Sequence, residues 1–377
     1  MILITSDFHL GYGYNSEREK DCFWVLDEIL NEKNISLILF AGDLFDSRVP
    51  RLEVLSEAVH FLSKLKENKS NVRILECDKE INNRFHEGIP FISIYGNHER
   101  RSNIINPVQV LEKAGLLINL HCQKIILEID GLKICIHGMS HIPDRYVKDV
   151  LKEWNPKPIK NAINILLLHQ NIEPFVYSDL EDVYLKISDL PKGFDYIVNG
   201  HIHYSKVLDL DNGKLIIPGS TIPTQLNKTE SQIKKGYYLL NRNNLIFKEI
   251  KQRKFFYLEA DSLESIDKFL SNLEIQTPKP IIKFKIGSLS KIDINLLENK
   301  YKDKGILIFG KKIEERGFCK YKAKIIEKQL SAEEYGLKLL KEKMRLSNII
   351  ELFDALSDEN FDEVTKLLKE NYNINQK

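Results

Sequence analysis

Asp7, His9, Asp43, Asn97, His169, His201 and His203 share one setting: each stands at or just beyond the end of a short apolar run. The runs are Ile2 to Ser6, Leu37 to Ala41, Phe91 to Tyr95, Ile165 to Leu168 and Tyr196 to Asn199, and each has the composition of a buried strand. Strands of one sheet that end in such residues bring the side chains to a single rim. Asp7 and His9, two apart in a loop leaving a strand, can reach one metal ion. Gly42 frees the backbone to turn, and the two oxygens of Asp43 can bridge a pair of ions. Asn97 offers a neutral carbonyl oxygen, while His169, His201 and His203 offer imidazole nitrogens. Carboxylate, amide and imidazole together suit Mn²⁺, iron or zinc better than an all-oxygen magnesium site. Two such ions roughly 3.5–4 Å apart could hold a bridging hydroxide and polarise a phosphoryl group, which is the chemistry of phosphate-ester hydrolysis.

Taken singly, each residue has a blander explanation. Histidine is commonly buried and hydrogen-bonded, and Asp after Gly or Asn beside Gly is ordinary turn and cap chemistry. The weight lies in the coincidence of five separate strand ends that all carry ligand types. The other histidines divide differently. His60, His86, His121 and His141 read as surface or packing residues, and His137, beside Gly138, reads as a candidate outer support for a metal site.

The elements that must position these residues alternate through the first 250 residues. Helical spacing is predicted for Glu17 to Asn31 and for Glu53 to Leu65, between the first strands. Lys124 to Ile129 and Leu132 to Ile136 flank Asp130-Gly131 as a hairpin, and later strands are expected at Leu215 to Pro218, Gly236 to Asn241 and Leu245 to Lys251. This order predicts an α/β architecture, a two-sheet sandwich flanked by helices. The polar stretch from Asn68 to Gly88 reads as an inserted surface loop. After Phe255 the pattern becomes a small α+β module, with strands at Ile281 to Ile286 and Ile306 to Phe309 around a helix carrying Ile292, Leu296 and Leu297. From Ser331, where Ser331 to Glu334 fits a capping box, the chain reads as helical. Ile349, Ile350, Phe353 and Leu356 form one apolar stripe, and Phe361, Val364, Leu367 and Leu368 another. The expected division is 1–250, 251–328 and 329–377.

The chain has 377 residues, enough for more than one core. No apolar run approaches the roughly 20 residues of a membrane span, and the N-terminus lacks the pattern of a signal peptide. Cys22, Cys77, Cys122, Cys135 and Cys319 show no CxxC spacing, so free thiols in a reducing cytoplasm are expected. A net charge of +1 gives no global attraction for nucleic acid. Any such surface must be local, and two basic clusters qualify. Lys248, Lys251, Arg253 and Lys254 precede Phe255 and Phe256; Lys311, Lys312, Arg316, Lys320, Lys322 and Lys324 interleave with Phe318 and Tyr321.

The ordered set Asp7-His9, Gly42-Asp43-Leu44-Phe45-Asp46, Gly96-Asn97-His98-Glu99, His169 and Gly200-His201-Ile202-His203 resembles the calcineurin-like metallophosphoesterase superfamily. The surrounding text is more specific. Asp7-Phe8-His9-Leu10-Gly11-Tyr12, Ala41 to Ser47, Ile136-His137-Gly138-Met139, Leu168-His169-Gln170, Asp195 to His203, Ile217 to Thr221 and Gly236-Tyr237-Tyr238 are similar to the SbcD/Mre-eleven family of DNA double-strand-break repair nucleases. Thr224-Gln225-Leu226 is similar to the archaeal and eukaryotic branch. The sequence departs from the family pattern in three places: Asp46 stands where some members carry His, Glu99 where Asp is commoner, and Tyr204 where a basic residue is frequent.

That resemblance implies two Mn²⁺ ions, one on Asp7, His9, Asp43 and His203, the other on Asp43, Asn97, His169 and His201. His98 would stabilise the transition state and help the 3′ oxygen leave. The implied activity is 3′→5′ exonuclease and endonuclease cleavage of DNA ends, with the small module as a DNA-facing cap. The implied partners are a Rad-fifty/SbcC-type ATPase on the terminal helices and a second copy of the chain. Glu17 to Asn31, Glu53 to Leu65 and Asn106 to Ala114 are the candidate helices for the homodimer. Two other readings stay open: a phosphodiesterase acting on small phosphoesters, and a non-catalytic DNA-end tether.

Overall fold

The computed structural model describes residues 1–101, 105–175, 185–287, 290–311, 352 and 364–367. Its strands are β1 (Ile2–Thr5), β2 (Leu37–Ala41), β3 (Val72–Cys77), β4 (Phe91–Ile94), β5 (Ile118–Asn119), β6 (Gln123–Ile129), β7 (Leu132–Gly138) and β8 (Ile163–Leu168). They continue as β9 (Ile172–Glu173), β10 (Leu185–Lys186), β11 (Tyr196–Asn199), β12 (Lys206–Leu210), β13 (Gly213–Ile217), β14 (Gly236–Asn241) and β15 (Asn244–Glu249). The helices among them are α1 (Trp24–Leu30), α2 (Leu52–Glu67), α3 (Pro107–Lys113) and α4 (Asp144–Trp154).

Two large sheets form. One has the order β15-β14-β1-β2-β4-β5, the other β12-β13-β11-β8-β7-β6-β3. Strands buried on both faces read as unbroken apolar runs, and alternation along them sorts the layers. Ile2, Ile4, Leu37 and Leu39 face the second sheet, meeting Ile136, Ile165, Leu167 and Val198. Leu3, Ile38 and Phe40 point the other way, onto Val25 and Leu26 of α1 and Phe61 and Leu62 of α2. Leu166, Leu168 and Ile197 cover Val147 and Leu151 of α4 on the far side. The result is the predicted helix-sheet-sheet-helix sandwich. The hairpin turn falls where expected, with Asp130 and Gly131 both at positive φ (50° and 78°), as a two-residue turn between β6 and β7 requires.

One stretch differs from expectation. Within Asn68 to Gly88, read as a surface loop, Val72–Cys77 is the edge strand β3, and Asn83–His86 is a short 3-10 turn capped by Asn82. Val72 and Ile74 lean on the inter-sheet core. The register with β6 then shifts between Ile74 and Glu76, and Cys77 returns to the same face. That bulge breaks the period-two pattern and hides the strand among polar neighbours.

Beside a two-stranded sheet of β9 and β10, a separate three-stranded sheet, β16 (Phe255–Ala260), β17 (Ile281–Ile286) and β18 (Ile306–Lys311), is wholly parallel, with α5 (Leu263–Asn272) and α6 (Lys291–Tyr301) as its crossovers. Here strands and helices alternate strictly, and α5 is a second helix beside the one the sequence predicts for this module. Arg253, grouped by sequence with basic DNA-facing residues, is instead buried. Its Nε and Nη2 donate to the Asp21 carboxylate (2.8 and 2.7 Å), and the guanidinium also donates to the carbonyls of Glu17 and Lys279 (2.7 and 2.5 Å). With its donors committed inside the protein, Arg253 is withdrawn from that surface. Lys251 and Lys254 are exposed, whereas Lys248 pairs with Glu32.

By Cα packing the chain forms two units, Met1–Glu99 with Asn106–Lys312, and Arg100–Ile105 with Ile313–Lys377. In the second, Leu352, Val364 and Leu367 are buried together. Ile349, Ile350, Phe353, Leu356, Phe361 and Leu368 lie outside the described residues, as do Lys312, Arg316, Lys320, Lys322 and Lys324. No helix among the described residues is long and apolar enough to cross a membrane.

Candidate metal centre

The strands β1, β2 and β4 run parallel in one sheet, and β8 and β11 run parallel in the other. Their carboxyl ends therefore open on one side, the position where α/β sheets collect functional loops. The loops are stitched together within the first rim and across to the second. The Asp7 amide donates to the Gly42 carbonyl (2.9 Å), the His201 amide donates to Asp7 Oδ1 (3.1 Å), and His169 Nδ1 lies 2.7 Å from the Ala41 carbonyl. Turning off the strands this sharply takes unusual backbone. Asp7, His9, Asp43 and His201 all have positive φ (53°, 48°, 57° and 72°). Left-handed non-glycine residues cost of order 1–3 kcal/mol each and cluster where function demands them.

Donor atoms of Asp7, His9, Asp43 and His203 all lie within 4.8 Å of one another, and so do those of Asp43, His169 and His201. Asp43 belongs to both groups. Asn97 Oδ1 joins the second, 3.1 Å from His169 Nε2 and 3.0 Å from His201 Nδ1. All seven sequence-predicted ligands thus meet at one place. A third group, His9, Asp46 and His98, adjoins them.

The donor set fits divalent cations on the evidence of its own unmet polarity. Asp7 Oδ2 is buried with no hydrogen-bond partner, and Asp43 Oδ2 is buried with His169 Nε2 facing it at 3.2 Å. Buried acceptors left this way are costly. His9 Nε2 and His203 Nε2 face each other at 3.1 Å. The Ala41 carbonyl can only accept, so His169 Nδ1 carries a proton and Nε2 is directed at Asp43 Oδ2, 3.2 Å away. Electrostatics agree. Burial pushes the Asp7 carboxyl up to about 6. Burial opposes ionisation of Asp43 too, but His169 against it holds that carboxyl well below its usual range. His169, despite burial, is raised to about 9 by Asp43. Without metal, a proton on His169 balances Asp43, the task a bound cation would take over. Burial, with neighbouring imidazoles, keeps His201 and His203 neutral, the form that ligates.

Close packing leaves no room for larger residues at the glycines between these groups. A Cβ on Gly96 would overlap Asp43 Oδ1, and one on Gly42, itself at φ 91°, would overlap His169 Nδ1.

Glu99, noted in the sequence only as a departure, has a structural task. Its buried carboxylate accepts from the amides of Phe45 (2.6 Å) and Gly96 (2.8 Å), tying the Asp43 loop to the Asn97 loop. Burial and the nearby Asp43 raise its pKa to about 8. Glu99→Ala strands two buried donors and is expected to cost about 2–6 kcal/mol, read as a lowered melting temperature of the metal-free protein.

His98 flanks the centre. Its amide donates to Asp43 Oδ1 (3.0 Å), its Nδ1 lies 2.9 Å from the Asp46 carbonyl, and its ring meets that of His9 edge-on at 4.7 Å. The side chain is one-third exposed (32%), unlike the buried carboxylate and imidazole donors of the centre. His141, read as a surface or packing residue, sits closer to the centre than expected. Its Nδ1 is 3.1 Å from the His169 carbonyl and its ring 5.9 Å from that of His201. His137 packs between Trp154 and Phe194, with Cys135 Sγ 3.7 Å from its Nδ1, and belongs to none of the ligand groups.

Burial, with Lys124 alongside, holds the His137 imidazole down to about 4. Between about pH 6.5 and 4 the unfolded chain therefore binds a proton that the folded chain refuses. Unfolding free energy should fall by roughly 3 kcal/mol over that interval as the pH drops. Denaturant titrations of His137→Gln should show a flatter pH dependence there than the parent.

A profile of the calcineurin-like phosphoesterase family matches residues 1–205. The double-strand break repair protein MRE11 of Encephalitozoon cuniculi is 30% identical over 289 residues, 70% of this chain and 49% of the relative. The DNA double-strand break repair protein Mre11 of Saccharolobus solfataricus is 30% identical over 64% of this chain and 60% of its own length. That of Sulfolobus acidocaldarius is 29% identical over 79% and 78%. The chain thus spans about half to three-fifths of the first two relatives.

Proposed function

We propose, from the premise that this chain belongs to the calcineurin-like phosphoesterase family, that it is a manganese-dependent nuclease acting on DNA ends in double-strand-break repair. The observation that carries this reading is Asp43 shared between two groups of buried donors, with a half-buried histidine at their edge; the relatives' role in DNA break repair supplies the substrate class. Asp7, His9, Asp43 and His203 would hold one Mn²⁺, and Asp43, Asn97, His169 and His201 the other. When bound, the pair supplies an activated hydroxide and neutralises charge on the phosphate. The residues' part is to hold the donors in place, keep the imidazoles neutral and shield the centre. His98 acts at the leaving 3′ oxygen.

In this reading residues 1–250 carry the nuclease, 251–328 a cap, and 329–377 a helical segment that grips a Rad-fifty/SbcC-type ATPase. The chain would work as a homodimer in the cytoplasm. Lys251 and Lys254, with Lys311, Lys312, Arg316, Lys320 and Lys322, would contact phosphates in a sequence-independent and salt-sensitive way.

The test compares linear duplex DNA with a small chromogenic phosphodiester, with Mn²⁺ and with chelator. Shortening of the duplex only with Mn²⁺ is expected. Cleavage of the small ester alone would favour a different phosphodiesterase, and DNA binding without cleavage would favour a tether. Deleting residues 331–377 should abolish capture of the ATPase while sparing cleavage of short duplexes; unchanged co-purification would remove the assigned partner site.

A further inference from the structure

The metal-centre reading leaves one buried network unexplained, on the segment from Ser220 to Lys235. Lys235 is buried, and its Nζ donates to Glu230 Oε1 (2.9 Å), Ser220 Oγ (2.8 Å) and the carbonyl of His203 (2.8 Å). Glu230 in turn accepts from the amides of Thr224 (3.0 Å) and Leu226 (2.7 Å). Thr224 Oγ1 lies 2.6 Å from His203 Nδ1. If Nε2 of His203 is the ligating nitrogen, Nδ1 carries the proton and Thr224 accepts it, which fixes the ring.

The same segment is held from the three-stranded module. Lys283, on the central strand β17, donates from Nζ to the carbonyl of Leu226 (2.9 Å). Leu226 itself has φ +50°, a conformation that a bulky residue adopts only when its surroundings impose it. A second path reaches Thr224 from the other side. The Tyr12 hydroxyl donates to the Thr224 carbonyl (3.0 Å), Arg18 donates to Tyr12 and to the Pro223 carbonyl, and Asp21 joins Arg18 to Arg253, which bonds the Lys279 carbonyl at the entrance to β17. Arg18, Asp21 and Arg253 are all buried. Two continuous polar chains therefore run from the module to the residue that orients a metal ligand. An isolated structural ion pair needs neither.

We infer that Thr224 is a positioning residue for His203, and that the 255–311 module sets its position through Lys283, Leu226 and Glu230 on one side and Arg253, Asp21 and Arg18 on the other. A displacement of the module then changes the affinity of the site holding His203 and leaves the His169 site as it is. The inference rests on the metal-centre reading.

The experiment is Mn²⁺ titration of the full chain followed by electron paramagnetic resonance, with Thr224→Val, Thr224→Ser and Lys283→Met beside the parent. Thr224→Val is expected to weaken one of the two Mn²⁺ ions by about 10–100-fold, the usual effect of removing an outer hydrogen-bond partner. The other ion and the melting temperature of the metal-free chain should be unchanged. Thr224→Ser restores the affinity, and Lys283→Met weakens the same ion several-fold. Parent-like binding of both ions by Thr224→Val overturns the positioning role. An effect of Thr224→Val without one of Lys283→Met overturns the link to the module, and equal weakening of both ions with a lowered melting temperature reduces the network to general stability. A parent chain that binds no Mn²⁺ pair fails the metal-centre reading itself, and the inference falls with it.

Discussion

Asp43→Asn is expected to leave the protein without a bound pair of Mn²⁺ ions and to lower phosphodiester cleavage by roughly 10³-fold or more, a loss of about 4 kcal/mol in the transition state. The carboxylate is the one group present in both ligand sets. One oxygen already accepts from the His98 amide (3.0 Å), and the other is buried and faces His169 Nε2 at 3.2 Å. The amide is the same size, so it fits beside Gly96, but it carries no charge to balance cations in a buried site. Asp7→Asn, which keeps an oxygen for the His201 amide and touches only one set of donors, should remove one ion and leave the His169 site loaded. Isothermal titration with Mn²⁺ gives the stoichiometry, single-turnover cleavage gives the rate, and Asp209→Asn, an exposed residue of β12, serves as the control. Parent-like stoichiometry in Asp43→Asn would detach the residue from the metals.

His98→Ala carries the second large effect, and of a different kind. The Asp46 carbonyl can only accept, so the Nδ1 of His98 carries a proton and the ring acts on substrate through Nε2. With its side chain one-third exposed and its ring against His9, it stands where the metal loops meet solvent. A positioned acid of this type contributes roughly 10²–10⁴-fold. The variant should therefore bind both ions with near-parent affinity and lose roughly 10²–10⁴-fold in the single-turnover rate. Loss of metal along with activity would make His98 a ligand or a support rather than the acid.

The contrast between these two residues shows how much the sequence could reveal. The candidate ligands were legible because each follows a strand whose apolar run is unmistakable, and parallel strands deliver their ends to one side. Asp7 and Asp43, at the ends of neighbouring strands, needed nothing more than that rule; His169 comes from the facing sheet, so the expectation of a single sheet holds only in part. The two-sheet sandwich was legible for the same reason, since strands covered on both faces must be apolar at every position. Legibility failed where a contact depends on distant backbone. Glu99 serves two amides, one of them 54 positions earlier, and no local pattern reports such a bond. Arg253 looked like a member of a basic patch until Asp21, 232 positions away, claimed it. The strand at Val72–Cys77 was concealed by its own bulge, which shifts the apolar positions out of step. Lys235 and Glu230 had the spacing of an unremarkable surface pair, and only burial makes them part of the scaffold behind His203.

The most direct measurement is anomalous diffraction at the manganese edge from crystals of the chain grown with Mn²⁺. Two peaks are expected, one within reach of Asp7, His9 and His203, the other of Asn97, His169 and His201, with the Asp43 carboxylate between them. A single peak, or peaks that leave Asp43 without a metal contact, would contradict the shared centre on which the proposed hydrolysis depends.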